Sequence, residues 1–167
     1  MNFKRYITEY AGSIIPTIEA EAHCDIPCGI YEPTPAKIAA STVLRMALQI
    51  KELKVPRSVE DDLASISYVN SVTRRIAVKE EHARICKNEL QILWADFFKP
   101  EHLEKYPELH DTFWKAMKLC SKNKQEVDED AAGQLLARVD EIARIFYEVK
   151  GVPERYEAYK ALTDKLF

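Results

Sequence analysis

The sequence predicts an all-α fold, an up-and-down four-helix bundle. From Thr34 onward, apolar residues recur at the three- and four-residue spacing of one helix face. Prolines, glycines and polar runs divide this region into long segments with short connections. Strand signals are nearly absent, because the chain has neither an Asn-Gly or Asp-Gly turn nor a sustained alternation of apolar and polar residues. Four long amphipathic helices joined in this way are typical of a four-helix bundle.

The first two helices show recognisable boundaries. Thr34 is a candidate cap, Pro35 suits the first helical position, and Val55-Pro56 ends the first helix. The apolar stripe of the first helix consists of Ala36, Ala40, Val43, Ala47 and Ile50. The second helix is long and continues its stripe through Leu63, Ile66, Val69, Val72, Ile76, Ala83, Cys86, Leu90, Leu93 and Phe97.

Prolines and a polar run separate the later helices. Lys99-Pro100 and Tyr106-Pro107 precede a third helix, with Leu109, Phe113, Ala116 or Met117, and Cys120 on its apolar face. We expect residues 121–130 to form a loop, with Asp128 as the cap of a fourth helix. The stripe of that fourth helix consists of Ala132, Leu135, Val139, Ile142, Phe146 and Val149.

The C-terminal end continues past the bundle. Gly151 and Pro153 are expected to end the fourth helix, in the order typical of a helix C-terminus. A short fifth helix packed on the bundle is indicated by Tyr156, Tyr159, Leu162 and Leu166.

The composition excludes several classes of protein. The 167 residues are 47% hydrophobic, which is enough for one domain with a core and no disulfide framework. With 24 basic against 27 acidic residues, the net charge of −3 argues against a nucleic-acid partner. No apolar run approaches the roughly 20 residues of a membrane span, so we expect no membrane partner.

Residues 1–22 differ from the chain that follows. Lys4 and Arg5 are not followed by the apolar segment of a signal peptide, and Glu9, Glu19 and Glu21 are unlike a transit peptide. The segment ends in small residues, Ala20-Glu21-Ala22, just before His23. Taken alone, it favours an ordinary frayed N-terminus over a leader.

The four cysteines fall into two pairs. Cys86 and Cys120 lie in helical apolar patterns and are expected to be core thiols. Cys24 and Cys28 lie in HCDIPCGIY, where their spacing allows a disulfide, half a zinc site or a chance pair. Nothing in the sequence indicates an oxidising compartment. We therefore expect a cytoplasmic protein, with metal or redox chemistry at Cys24 and Cys28 rather than a structural bridge.

The segment HCDIPCGIY can surround a metal ion. Pro27 and Gly29 favour turns, so both thiolates can reach one centre, and imidazole with thiolates suits zinc, copper or nickel. Because His23 and Cys24 are adjacent, chelation by their two side chains is awkward. If His23 begins the mature chain, its amine, the Cys24 amide nitrogen and both thiolates can lie in one plane. A planar set of nitrogen and sulfur donors favours nickel or copper over zinc.

A second unusual segment, WADFFKPEHLEKYPELHDTFW, spans residues 94–114. Its simplest interpretation is a connection between helices that packs through its aromatic side chains. His102 and His110 are candidate metal ligands, but they lie eight residues apart across a proline. We expect them to be surface or capping histidines.

Two of these segments resemble motifs of the nickel superoxide dismutases. HCDIPCGIYEP (23–33) is similar to H-C-D-x-P-C-G-x-Y, and WADFFKPEHLEKYPELH (94–110) to W-x-D-Y-F-K-P-x-H-x-E-K-Y-P-E-L-H. The likeness runs from His23 to about Val149. It implies conversion of superoxide to hydrogen peroxide and oxygen by Ni(II)/Ni(III) cycling, with one nickel ion per subunit of a homohexamer. It also implies a leader-removing protease that cuts between Ala22 and His23.

The resemblance implies a role for each residue of the N-terminal hook. The metal ligands are the His23 amine and imidazole, the Cys24 amide nitrogen and thiolate, and the Cys28 thiolate. With Tyr31, whose hydroxyl is one candidate proton source, these are the expected catalytic residues. Asp25 is expected to order the hook by accepting backbone N–H bonds. The implied organisation is a leader (1–22), a nickel hook (23–33), a four-helix bundle (34–150) and a C-terminal extension (151–167).

Three positions depart from the better-known members of the family. Those members place a Glu and an Arg against the hook histidine, where this chain has Ala39 and His82. We expect His82 to help hold the axial histidine, since residues around the ligands orient them and tune the metal. A second active-site tyrosine of the family is Phe97 here, which leaves Tyr31 as the matched tyrosine.

Two other functions are compatible with a helical bundle. A metal-handling protein that delivers or stores nickel, copper or zinc would bind metal without turnover and would tolerate Tyr31→Phe. A structural or interaction protein would be unaffected by Cys24→Ser and Cys28→Ser. Both motifs of the resemblance favour the enzyme.

Overall fold

A computed structural model describes residues 28–56, 62–163 and 165 of the chain. The predictions for the leader and for His23, Cys24 and Asp25 therefore lie outside the described residues. The described part forms α-helices and no strand, which confirms the all-α fold. The helices are α1 Thr34–Lys51, α2 Asp62–Ile92, α3 Leu109–Gln125, α4 Glu129–Val149 and α5 Glu154–Thr163. A π-helical turn (Leu93–Phe97) and a 3₁₀ helix (Pro100–Glu104) connect α2 to α3.

The helix ends follow the local sequence, with two exceptions. Asp128 caps α4 by accepting the Ala131 N–H at 3.0 Å, and Gly151 follows α4 with a φ of 76°, as predicted. Thr34 does not cap α1, since Pro33 occupies the N-cap position and the Thr34 hydroxyl donates to Glu32 Oε1 at 3.0 Å. The run 121–130 is mostly helical, because α3 continues to Gln125.

The core lies between α1, α2, α3 and α4. Each of these helices packs against its neighbour along the chain, and α1 also packs against α4. Burying each large apolar side chain contributes about 1.5–3 kcal/mol. The core includes Val43, Leu90, Leu109, Phe113, Leu135, Val139, Ile142 and Phe146.

The stripe of α2 is buried only in its second half. The Lys79 ammonium, on a side chain that is 1% exposed, donates to the backbone carbonyls of Asn123 and Glu126, at the end of α3. Residues 62–78, which we call the α2 overhang, extend past that point, because a 31-residue helix is about 46 Å long and the 17-residue α3 about 26 Å. Leu63, Ile66 and Val69 on the overhang are 75%, 65% and 59% exposed.

The predicted fifth helix is present as α5. It packs against α4 and α1, and its Tyr159 side chain is buried. None of the described helices is long and apolar enough to span a membrane.

Candidate functional site

The described end of the hook leads into the N-terminus of α1. Cys28 is exposed, and its Sγ accepts the Ile30 N–H at 3.4 Å. Gly29 between them has a φ of 66°, a left-handed conformation that glycine adopts without steric cost. The Cys28 sulfur thus lies at the surface with a backbone donor beside it.

A cavity of about 190 Å³ lies beneath this segment and is called here the hook-base cavity. It separates the end of the hook from the last turns of α2. Two acidic residues line it, Glu32 at the hook and Glu89 on α2. The remaining lining residues are Ile30, Tyr31, Pro35, Ile92 and Leu93.

Tyr31 is half-buried between the hook and the connection from α2 to α3. Its ring lies 5.7 Å from the ring of Phe97, which in turn lies 4.4 Å from that of Phe146 on α4. Phe97 belongs to the π-helical turn, whose wider winding shifts side chains relative to α2. The Lys150 ammonium donates to the Tyr31 carbonyl at 3.2 Å. The predicted site residue Tyr31 is therefore in contact with Phe97, the residue that replaces the second tyrosine of the family.

Glu32, the next residue, is tied to α4. Its Oε1 accepts the hydroxyl hydrogens of Thr34 and of Tyr147. Burial, together with the bond to Glu32, raises the pKa of Tyr147 well above its usual range, so the phenol keeps the hydrogen that it donates. Sequence reasoning missed both residues. The sole local signal was the position of Glu32 directly after Tyr31, and Tyr147 lies 115 residues away.

His82 lies on α2 and is half-exposed. Its Nδ1 is 2.9 Å from the Val78 carbonyl oxygen. Because a carbonyl can only accept, Nδ1 carries the hydrogen of this bond, and Nε2 remains for another partner. Ala39 is buried in the core. The hook histidine that His82 is expected to contact lies outside the described residues.

The two candidate histidines of the second motif are structural. His102 Nδ1 accepts the Lys99 N–H at 3.0 Å and so caps the 3₁₀ helix. His110 Nδ1 accepts the indole hydrogen of Trp94 at 2.7 Å. His102 is therefore a capping histidine and His110 an exposed one, as expected. Within residues 28–56, 62–163 and 165, no group of three or more His, Cys, Asp or Glu side chains is arranged to hold a metal ion.

The two remaining cysteines lie in the core, as predicted. Cys86 and Cys120 are fully buried thiols on α2 and α3. They contact each other, and the hydrogen bond between them, with burial, raises the pKa of Cys86. Neither has the exposure of Cys28.

Comparisons with known proteins converge on one family. A family model described as nickel-containing superoxide dismutase matches residues 18–150. A superoxide dismutase [Ni] from Streptomyces seoulensis is 33% identical over 135 residues, which is 81% of this chain and 93% of the relative. Its counterpart from Streptomyces coelicolor is 34% identical over 135 residues, with the same coverage of both chains.

Solved structures agree with this match. The native structure of a nickel superoxide dismutase at 1.30 Å has a TM-score of 0.65 and 34% identity, covering 77% of this chain and 99% of that one. A structure of such an enzyme with the nickel ligation of the oxidised state has a TM-score of 0.66 and 33% identity, with the same coverage. The family match ends at residue 150, so α5 lies outside it.

Proposed function

The chain belongs to the nickel-containing superoxide dismutase family and is a nickel-dependent superoxide dismutase, and from this premise we propose that the hook residues His23, Cys24 and Cys28 bind the nickel ion. The observation that carries the proposal is the position of Cys28, an exposed thiol at the end of the hook. The other described cysteines are buried in the core. Among the described residues, no other group of three or more His, Cys, Asp or Glu side chains is arranged to hold a metal ion.

The donor set fits nickel. Thiolate and deprotonated amide are anionic donors that stabilise the trivalent ion, and bound nickel supplies the electron transfer by alternating between Ni(II) and Ni(III). In our proposal the His23 amine and imidazole, the Cys24 amide nitrogen and thiolate, and the Cys28 thiolate are the ligands. The product of superoxide reduction, hydrogen peroxide, also needs protons.

The residues around the ligands have proposed roles of their own. Tyr31 supplies or gates protons, supported by its place at the hook and its contact with Phe97. Asp25 orders the hook by accepting backbone N–H bonds. His82 holds the imidazole of His23 through Nε2. This role is supported by the hydrogen bond of His82 Nδ1 to the Val78 carbonyl, which leaves Nε2 for the contact with His23.

The proposed mature protein begins at His23. A protease would remove residues 1–22, because the α-amine of His23 could join the Cys24 amide nitrogen as a nickel ligand only once it is free. The proposed organisation of the remainder is a hook (23–33), a bundle (34–150) and a C-terminal extension (151–167). We place the protein in the cytoplasm. This placement is supported by Cys86 and Cys120, which contact each other in the core and remain thiols.

We propose a homohexamer, in which the α2 overhang contributes to contacts between subunits. Leu63, Ile66 and Val69 form an apolar stripe with no cover from α3. Sedimentation velocity on Ile66→Asp protein tests this role, with Ser67→Asp on the same turn as the control. Ile66→Asp is expected to lower the oligomeric mass and Ser67→Asp to leave it unchanged. An Ile66→Asp protein of unchanged mass would contradict the role of the overhang.

The nickel site is tested with protein that begins at His23, loaded with nickel or with zinc. Superoxide decay is expected with nickel alone, and protein that retains residues 1–22 is expected to be inactive. Cys28→Ser should abolish nickel binding, whereas the control Cys120→Ala, which removes a buried thiol, should keep it. If Cys28→Ser protein binds nickel with the affinity of the parent, the assignment of the site is wrong.

A further inference from the structure

Helix α5 lies outside the region shared with the family. It packs against α4 and α1 and lines a cavity together with Glu32, near the end of the hook. The ring of Tyr159 on α5 lies 5.7 Å from that of Tyr147 on α4. The Arg155 guanidinium, also on α5, lies 5.9 Å from the centre of the Tyr147 ring. Tyr147 is 3% exposed and Tyr159 is 5% exposed. Two residues of α5 therefore cover Tyr147.

Tyr147 is one of the residues that fix the base of the hook to the bundle. Its hydroxyl donates a hydrogen bond to the carboxylate of Glu32, the residue that follows Tyr31 in the chain. Hydrogen bonds to a charged acceptor are about twice as strong as neutral ones, and they strengthen further where water is excluded. Covering Tyr147 therefore restricts the movement of Glu32.

A second connection joins α5 to the start of α1. The Lys37 ammonium donates to both Asp140 oxygens at 2.7 Å, and the Tyr159 hydroxyl donates to Asp140 Oδ1 at 3.3 Å. A cavity of about 360 Å³ lies between the two connections, lined by Glu32, Thr34, Tyr147, Arg155, Ala158 and Tyr159. Helix α5 supplies one wall of this cavity.

We propose that Tyr159 and Arg155 of the C-terminal extension, with Tyr147, are positioning residues that hold the nickel hook against α4 through Glu32. The proposal rests on the hook being the nickel site. It gives α5 a role in the geometry of the metal centre, beyond the addition of apolar contacts to the bundle.

Four variants separate positioning from stability. Tyr147→Phe removes the bond to Glu32 and keeps the ring, and Tyr159→Ala uncovers Tyr147. Tyr159→Phe keeps the covering ring and should behave as a partial rescue. Tyr156→Phe, which removes a hydroxyl from the same helix, is the matched control.

Two measurements are made on each variant. The first is the nickel dissociation constant of protein that begins at His23. The second is hydrogen exchange of the full chain without nickel, at the first turn of α1, where the Lys37 N–H is bonded to the Pro33 carbonyl at 3.1 Å. For Tyr147→Phe and Tyr159→Ala we expect about tenfold weaker nickel binding, within the range for a hydrogen bond to a charged group, and faster exchange. Tyr156→Phe should stay within about twofold of the parent. Tyr159→Phe, which keeps the covering ring but loses the bond to Asp140, should lie between Tyr159→Ala and the parent.

The outcomes distinguish this proposal from that for the nickel site. If Tyr147→Phe leaves both measurements unchanged, the positioning role is wrong. If Tyr159→Ala lowers the melting temperature but changes neither measurement, α5 has a purely stabilising role. If the parent protein does not bind nickel through the hook but exchange responds as expected, the proposed nickel site fails and the positioning of the hook stands.

Discussion

The ion pair between Lys37 and Asp140 gives the most direct test of how the bundle is stabilised. The Lys37 side chain is 2% exposed and that of Asp140 is 19% exposed. Both carboxylate oxygens lie 2.7 Å from the ammonium nitrogen. The perturbation is Asp140→Leu, which removes the carboxylate and keeps a branched side chain of similar shape. The buried Lys37 ammonium then loses its ion pair with the Asp140 carboxylate.

The expected loss is large for a single substitution. Breaking a buried ion pair by removing one partner costs about 3–5 kcal/mol. Because Asp140 retains some exposure, we expect the lower end, about 3 kcal/mol. For a chain of this length each kcal/mol corresponds to about 2–4 °C, so the melting temperature should fall by about 6–12 °C. In the double variant Lys37→Met/Asp140→Leu no charge is left buried, and stability should return to within about 1 kcal/mol of the parent.

The assay is thermal and denaturant unfolding of the three proteins. All are compared at one protein concentration, because assembly shifts apparent stability. A loss below about 1 kcal/mol for Asp140→Leu would show that the ammonium finds another partner or water, and would refute the reasoning. So would a double variant that is no more stable than the single one.

Three further predictions concern the hook, acid stability and the end of α4. Tyr31→Phe should lower the rate of superoxide decay by nickel-loaded protein by about 100-fold without changing the affinity for nickel. An unchanged rate would exclude Tyr31 as a proton source. The Tyr106 hydroxyl lowers the pKa of Glu148, so the unfolded chain takes up a proton at higher pH than the folded one. The stability that this hydrogen bond contributes should be complete above pH 4.5 and should be lost as the pH falls through the lower pKa of Glu148 in the folded protein. The difference in unfolding free energy between the parent and Tyr106→Phe should therefore narrow in acid. A difference that stays constant with pH would contradict this prediction. Gly151→Ala should lower the unfolding free energy by about 1 kcal/mol through the backbone φ of 76° alone, since no atom lies within 4 Å of an added Cβ. Gly133→Ala, inside α4, should instead raise the unfolding free energy.

Much of the fold could be predicted because its signals are local. The apolar stripe of α4, the cap at Asp128 and the glycine at position 151 each act within a few residues, so the sequence alone defines them. The described residues of the proposed site were identified for a similar reason. Cys28 and Tyr31 belong to one continuous motif.

The remainder depends on contacts between distant parts of the chain. The exposure of Leu63 follows from the unequal lengths of α2 and α3, which no property of α2 alone reveals. The bond from Tyr147 to Glu32 joins residues 115 positions apart, and neither has a local signal for the other. The sequence could therefore supply the residues of the hook but not the side chains that fix its base.

The buried thiol pair on α2 and α3 bears on how this enzyme tolerates its own product. Hydrogen peroxide oxidises thiolates, and the raised pKa of Cys86, together with its complete burial, keeps that sulfur protonated and out of reach. Oxidative damage should therefore begin at the exposed hook, where Cys28 lies, and the core should survive it. A thiol-alkylating reagent applied to the native protein would then react at the hook, whereas Cys86 would become accessible only on unfolding. The order of labelling therefore reports the state of the proposed metal site separately from that of the fold.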